Sequence, residues 1–346
     1  MKPFIEINGR KIGYEFEPLV IAEIGINHSG SIDIAKEMVL SAKQAGVEFI
    51  KHQTHIIDDE MSSEAKNILP GNANISIYDV MKNNSLNEQE EYELMKFVHE
   101  QKMTFISTPF SRKAFNRLER FKVPAYKIGS GECNNHPLIE EIAKTRKPII
   151  LSTGMNSISD IKKTTSIINK YHNNLALLHT TNLYPTPNRL VRLGAMEEIS
   201  NVFPKNVFGL SDHTTSNHAC FGAIALGASI LERHFTDHME RNGPDIICSM
   251  DQKECENLIK GAKILFEQRG GKKVTTKEEK VTIDFAFASI CSISSIKKGD
   301  LFTKGNIWVK RPGTGDFLAK DFNTILGKKA KVDIKKNTQI KISDVE

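Results

Sequence analysis

The sequence predicts an α/β chain: a (β/α)8 barrel followed by a small, mostly β domain. Three observations carry that prediction. Short apolar runs that end in polar residues recur through the first three-quarters of the chain. Stretches of helical periodicity separate them. The composition then changes near residue 270, where a charged segment opens with two glycines.

The runs are LVIAEIG (19–25), VEFIKHQ (47–53), MTFISTP (103–109), AYKIGSG (125–131), PIILSTG (148–154), LALLHTTN (175–182), VFGLSDH (207–213) and SILERHF (229–235). Eight strands over roughly 250 residues is the arithmetic of a closed parallel barrel. A doubly wound open sheet is the competing architecture, and it calls for a glycine-rich phosphate turn after the first strand. GINHSG (25–30) is not GxGxxG. SIDIAKEMVLSAKQAG (31–46) and EQEEYELMKFVHEQK (88–102) read as helices between strands, with Gly46 a stop signal. The long interval between the second and third runs, including PGNANISIYDV (70–80), reads as a loop enlarged at the functional face. The barrel is therefore expected over 1–270, a linker over 271–283 (within GGKKVTTKEEKVT), and a second domain over 284–346. That domain sets short β-prone pieces between KKGD, RPGTGD and LGKKA turns.

With 346 residues, 39% hydrophobic and 26% charged, the chain can bury a substantial core, which excludes disordered, fibrous and disulfide-miniprotein classes. The net charge of +5 is spread along the chain without a basic stripe, so no nucleic-acid partner is expected. The most apolar stretch, Cys220 to Leu231, contains two glycines and runs into Glu232 and Arg233, too short to cross a membrane. The first residues, MKPFIEINGRKIGYEFE, carry charges where a signal peptide needs an apolar run. Five widely spaced cysteines without a CxxC pair read as reduced thiols. A soluble, cytoplasmic protein is the expectation.

Barrel chemistry gathers at the carboxyl ends of strands. There the sequence places Glu23, Lys51, Gln53, Thr108, Lys127, Ser130, Glu132, Ser152, Asn182, Tyr184, Ser211, His213, Glu232 and His234. Pairs two apart, such as Lys51 with Gln53 and Glu232 with His234, share a strand face and point together into the barrel mouth. His213 and His234 stand at comparable positions on neighbouring strands. Two imidazoles with the remaining positions open suit a catalytic divalent ion such as Mn2+ or Zn2+. The remaining histidines discussed (His28, His52, His55, His136, His179 and His218) are expected as hydrogen-bonded core residues. Lys51 and Lys127, facing inward, call for an anion to neutralise them, and the hydroxyls with Asn182 supply donors for a phosphate or carboxylate cage. A Schiff-base lysine is the other chemistry open to them. Glu23, Glu132 and Glu232 are candidates for proton transfer or for support of the metal, with a structural pairing to a lysine the alternative for any one of them. Asp245, in GPD after the last strand, could reach the mouth to hold a substrate hydroxyl. DDE (58–60) reads as a solvated face.

In EIGINHSGS (23–31), KHQTH (51–55), STPF (107–110), KIGSGECNN (127–135), LSTGM (151–155), TTNLYPTP (180–187), GLSDHT (209–214), LERHFT (231–236) and GPD (243–245), the chain resembles the sialic acid synthase family. NIWVKRPGTGDF (306–317) and DIKKN (333–337) resemble the antifreeze-like (SAF, β-clip) domain that follows the barrel in that family. The resemblance implies condensation of phosphoenolpyruvate with N-acetylmannosamine and water, giving N-acetylneuraminate and phosphate by C–O cleavage. It implies that Lys51, Thr108, Lys127, Ser130, Ser152, Asn182 and Ser211 cradle phosphoenolpyruvate. Glu132, Glu23, Lys51 and Lys127 would form the catalytic set, and Gln53, Tyr184, Asp245 and Arg311 would bind the sugar. His213 and His234 would hold the metal, with Mn2+ expected and Mg2+ or Co2+ as alternatives. It further implies a domain-swapped homodimer in which Arg311 of one subunit reaches its partner's site. The alternatives are a legionaminate, pseudaminate or 9-phosphate synthase of the same family, sister enzymes acting on aldose phosphates, and a catalytically dead carbohydrate- or anion-binding protein.

Overall fold

The computed structural model describes residues 2–71 and 73–346. The chain divides into two compact units, residues 1–270 and 271–346.

The first unit opens with an antiparallel hairpin, β1 (Phe4–Ile7) and β2 (Arg10–Gly13). Its turn is Asn8-Gly9, both at positive φ (50° and 81°), the geometry that matches the twist of a two-residue hairpin. Eight parallel strands follow: β3 (Leu19–Gly25), β4 (Phe49–Thr54), β5 (Thr104–Pro109), β6 (Tyr126–Ile128), β7 (Ile149–Ser152), β8 (Leu175–Thr180), β9 (Val207–Asp212) and β10 (Ile230–His234). They close in sequence order, with β10 pairing both β9 and β3. The predicted barrel is thus the observed one.

Alternation along the strands divides the core in two. Val20, Ala22, Ile24, Ile50, Phe105, Tyr126, Leu151, Leu177 and Leu231 point outward and pack with helix residues such as Met38, Leu94, Leu118 and Ile139. Leu19, Ile21, Phe49, Ile106, Ala125, Ile150, Ala176, Leu178, Val207 and Ile230 form a second, inner cluster together with Ile5, Ile7 and Ile12 of the hairpin. The hairpin therefore closes the amino-terminal end of the barrel. Along the same strands, two residues beyond this inner layer, stand Glu23, Lys51, Thr108, Lys127, Ser152, Thr180 and Glu232, with Ser211 four residues past Val207, all buried. One end of the barrel interior is apolar and the other is polar. Ile12 is fully buried in the apolar end. Ile12→Ala is expected to lower unfolding stability by about 3 kcal/mol in a urea titration while leaving substrate KM values unchanged. A wild-type midpoint would remove the hairpin from the core.

Two local features differ from the sequence expectation. β6 stops at Ile128, so Ser130 and Glu132 do not continue a strand; Gly131–Asn134 is a single 3-10 turn. Gly129 makes this reversal compatible with the site, because a Cβ there would lie 2.5 Å from Glu132 Oε2. The enlarged loop after β4 contains short helices, Ile57–Glu60 and Ile77–Asn84, before the long helix Glu88–Glu100. Asn87 starts that helix by accepting from the Gln89 and Glu90 amides, while the Glu90 carboxylate accepts from the Asn87 amide.

The second unit pairs β11 (Ser289–Ser292) with β12 (Ile307–Lys310), antiparallel, around Ile290, Ile296, Phe302, Ile307, Ile325, Ile334 and Ile340. The segment expected as a linker over 271–283 ends inside a helix, Lys280–Ala286. Its charges disguise an i,i+4 pair, Lys280 with Asp284. All five cysteines are free and buried. Among the described residues, no helix is long and apolar enough to cross a membrane.

Candidate active site

Register fixes the floor of the site. Glu23 on β3 lies beside Lys51 on β4 and His234 on β10, and Glu232 on β10 lies beside Ser211 on β9. Lys51 and Lys127 are 4% and 2% exposed. The sequence reading gave them a bound anion and allowed one of Glu23, Glu132 and Glu232 a structural pairing with a lysine; Glu23 and Glu232 are the carboxylates that face them. Lys51 donates to Glu23, and Glu232 Oε1 lies 3.7 Å from Lys51 Nζ and 3.5 Å from Lys127 Nζ. Ser211 donates to Glu232 at 3.1 Å, and Lys127 donates to Ser152 Oγ at 2.7 Å. Burial alone would lower Lys51, but Glu23 and then Glu232 overcome it and raise its ammonium above the usual range. For Lys127 burial prevails and holds it below that range. Glu232 is a site residue to which the sequence reading gave no fixed role. Its position two residues before His234 was the available signal.

Above the lysines, Lys51, Gln53, Thr108, Lys127, Ser130, Glu132, Ser152, Asn182, Tyr184, Ser211, His213, Glu232 and His234 line one cavity of about 170 Å3. Phe110 and Thr180, not anticipated from sequence, line it too. An adjoining cleft of about 350 Å3 is lined by Gly71, Leu183, Pro185 and Pro187 and shares Asn182 and Tyr184. Gly154 makes room for the cavity wall: a Cβ there would meet Asn182 Oδ1 at 1.8 Å. Thr108 Oγ1, Glu132 Oε2, Asn182 Oδ1, Glu232 Oε2 and His234 Nδ1 are buried polar atoms without a hydrogen-bond partner. Buried polar atoms are nearly always paired, so this concentration in one cavity marks a place for a polar ligand.

His213 and His234 face each other with ring centroids 5.3 Å apart, and Tyr184 packs on His213 at 4.2 Å. The Thr181 carbonyl accepts from His213 Nδ1 at 2.8 Å, which leaves the Nε2 lone pair free. Burial pushes both imidazoles down to about 4, so both are neutral at pH 7 and available to a metal. Among the described residues, no group of three or more His, Cys, Asp and Glu side chains is gathered to hold an ion. The two neutral, facing imidazoles are the donors a divalent ion would have here, with water and substrate completing its shell.

Glu132 is pushed up to about 7, by burial first and then by the Glu60 carboxylate. Asp245 is pushed up to about 6 by burial and lies 3.6 Å from His234 Nδ1, its backbone carbonyl accepting from Ser249 Oγ. Glu23 stands behind the cavity wall, bonded to Lys51 and Gln53. Arg311 lies exposed in the second unit, directly after β12. Glu60 is not the solvated residue that DDE suggested, because its side chain is largely buried against His55. Of the other histidines, His28 and His52 meet at 3.2 Å in a buried network with Glu91 and Arg117. His179 bonds the Val191 carbonyl. His136 is half-buried, and His218 is exposed rather than part of the core.

Comparison with known proteins gives two family matches: the NeuB family over residues 38–274 and the SAF domain over residues 292–346. The N,N'-diacetyllegionaminic acid synthase of Campylobacter jejuni is 34% identical over 93% of this chain and 98% of its own. That of Legionella pneumophila is 30% identical over 99% and 98%. Among solved structures, the N-acetylneuraminic acid (sialic acid) synthetase of Leptospira borgpetersenii in complex with citrate superposes with a TM-score of 0.75. It is 27% identical and covers 82% of this chain and 96% of that one.

Proposed function

This chain belongs to the NeuB family, and from that premise we propose that it condenses phosphoenolpyruvate with an acetamido aldose and water, giving a 2-keto-3-deoxy sugar acid and phosphate. The observation that carries the proposal is the one cavity in which two buried lysines and four unpartnered oxygen atoms face two neutral imidazoles.

Lys127, Lys51, Thr108, Ser130, Ser152, Asn182 and Ser211 hold the carboxylate and phosphate of phosphoenolpyruvate. Its methylene carbon adds to the sugar aldehyde, water adds to the resulting cationic carbon, and collapse of that adduct expels phosphate by C–O cleavage. Glu132 takes the proton from the attacking water. Glu23 holds Lys51 and Gln53 in place, while Gln53, Tyr184 and Asp245 bind the open-chain sugar. A divalent ion held by His213 and His234, with Mn2+ proposed ahead of Mg2+ or Co2+, would polarise the aldehyde as a Lewis acid. In a domain-exchanged dimer, Arg311 would contact the acetamido group in the partner's site.

Among the described residues lining the cavity and its cleft, the basic side chains are Lys51, Lys127 and the two histidines. This favours an unphosphorylated sugar over a sugar phosphate. N-acetylmannosamine is the sugar that the sequence reading favours. The names of the two legionaminic acid relatives support a second reading, the diacetamido sugar that leads to N,N'-diacetyllegionaminic acid. Purified protein, phosphoenolpyruvate, Mn2+ and each sugar in turn, assayed for phosphate and keto sugar acid, test both. Absence of product with every acetamido sugar would overturn the proposal. For the metal, His213→Ala is expected to weaken Mn2+ binding at least tenfold in a calorimetric titration, and EDTA to abolish turnover. An EDTA-insensitive rate, or unchanged Mn2+ affinity, would remove the ion from these histidines.

A further inference from the structure

His55, the last residue of KHQTH, has no part in the mechanism above. It follows β4 directly and is 4% exposed, with its ring stacked on Phe110 at 4.3 Å between centroids and 14° between planes. Its Nε2 lies 3.0 Å from Gln53 Oε1, and its Nδ1 lies 2.8 Å from Glu60 Oε2. Gln53 Nε2 lies 2.7 Å from Glu23 Oε1, and the other Glu23 oxygen accepts from Lys51.

Only one polarity satisfies this chain of contacts. Glu23, paired with the Lys51 ammonium, is a carboxylate and only accepts. Gln53 must turn its NH2 toward Glu23, so its carbonyl faces His55 and the ring must donate from Nε2. At Nδ1 the ring is held on its other side by Glu60 Oε2 at 2.8 Å. Gln53 is left with one amide N–H free, and the residue lines the cavity. With the amide reversed, its oxygen would be set against the Glu23 carboxylate.

We propose that His55, held between Glu60 and Phe110, is a positioning residue that fixes the Gln53 amide with an N–H toward the substrate, so that Gln53 recognises an oxygen acceptor on the sugar. The proposal rests on the reading that Gln53 meets the sugar rather than phosphoenolpyruvate.

Two variants and one spectrum test it. His55→Phe keeps an aromatic ring on Phe110 and removes the Nε2–H donor, whereas His55→Gln keeps a neutral N–H donor. The expected result is that His55→Phe raises the sugar KM about tenfold with the phosphoenolpyruvate KM unchanged, and that His55→Gln restores most of the loss. A parallel rise in both KM values, or no rise in either, would reduce His55 to a structural residue and overturn the proposal. In the resting protein, 15N NMR of the imidazole, assigned by its loss in His55→Phe, should show hydrogen on Nε2. A bare Nε2 would contradict it. If the wild-type protein makes no product while Nε2–H is present, the functional reading fails and the ring's hold on Gln53 stands.

Discussion

Replacing Lys127 with methionine is expected to lower kcat/KM for phosphoenolpyruvate about 1000-fold. Lys127 is buried, donates to Ser152 and lies 3.5 Å from Glu232. In the resting site, Lys51 and Lys127 balance Glu23 and Glu232. Methionine fills similar volume but leaves an excess carboxylate facing an anionic substrate. Truncating one partner of a buried charge pair costs 2–5 kcal/mol or more, and about 1.4 kcal/mol is a factor of ten. The uncompensated Glu232 should also lower stability. Glu232→Gln added to Lys127→Met is therefore expected to restore the melting temperature without restoring activity. A kcat/KM for phosphoenolpyruvate within about threefold of wild type would refute the anion cage. In mixed dimers, inactive Lys127→Met subunits should regain turnover with Arg311→Ala subunits, because one of the two sites then has both residues intact. No recovery would count against the exchange of domains.

Glu132→Gln is expected to lower kcat by about 100- to 10,000-fold, with both KM values nearly unchanged, as removal of a general base does. The same substitution should alter the pH profile. With the Glu132 carboxyl at about 7, the wild-type rate should fall about tenfold per unit as pH drops below 7, because the active form is the carboxylate. That limb should vanish in the variant. Stability has the opposite sign. The ordinary value of 4.5 is raised to about 7 in the folded chain, so between these values the folded state alone holds the proton. The stabilisation this proton brings is complete below about 4.5, declines as pH rises through that window, and is gone above 7. Glutamine removes the burial cost of the carboxylate. The variant should therefore be more stable than wild type at pH 8, by on the order of 3 kcal/mol, and gain little at pH 4. A variant less stable at pH 8, or a wild-type rate flat from pH 6 to 8, would contradict the buried, unpartnered carboxylate seen at Glu132 Oε2.

The barrel was legible because its strands are buried on both faces and read as apolar runs, and because a change from apolar to polar along one strand face is visible in sequence alone. Parity grouped Lys51 with Gln53 and set His213 near His234; the first two line the same cavity and the two rings face each other. The hairpin that plugs the barrel carried its own signal, Asn8-Gly9 between alternating isoleucines, but it lay outside the repeating strand–helix pattern. What sequence could not supply was partnership across strands. Glu232 stands between two lysines contributed by β4 and β6, and Glu60 reaches His55 from the loop after β4. Neither pairing follows from spacing along the chain. Ser130 and Glu132 were placed on a strand because apolar content predicts where a strand runs better than where glycine lets it end.

The central claim is that carbon–oxygen cleavage of phosphoenolpyruvate accompanies its addition to an acetamido sugar. Phosphoenolpyruvate carrying 18O at the bridging enol oxygen, incubated with the protein, Mn2+ and the sugar, reports this directly in the mass of the phosphate released. The predicted result is that the label leaves entirely with phosphate while a keto sugar acid accumulates in equal amount. Unlabelled phosphate, or phosphate without the sugar acid, would contradict it.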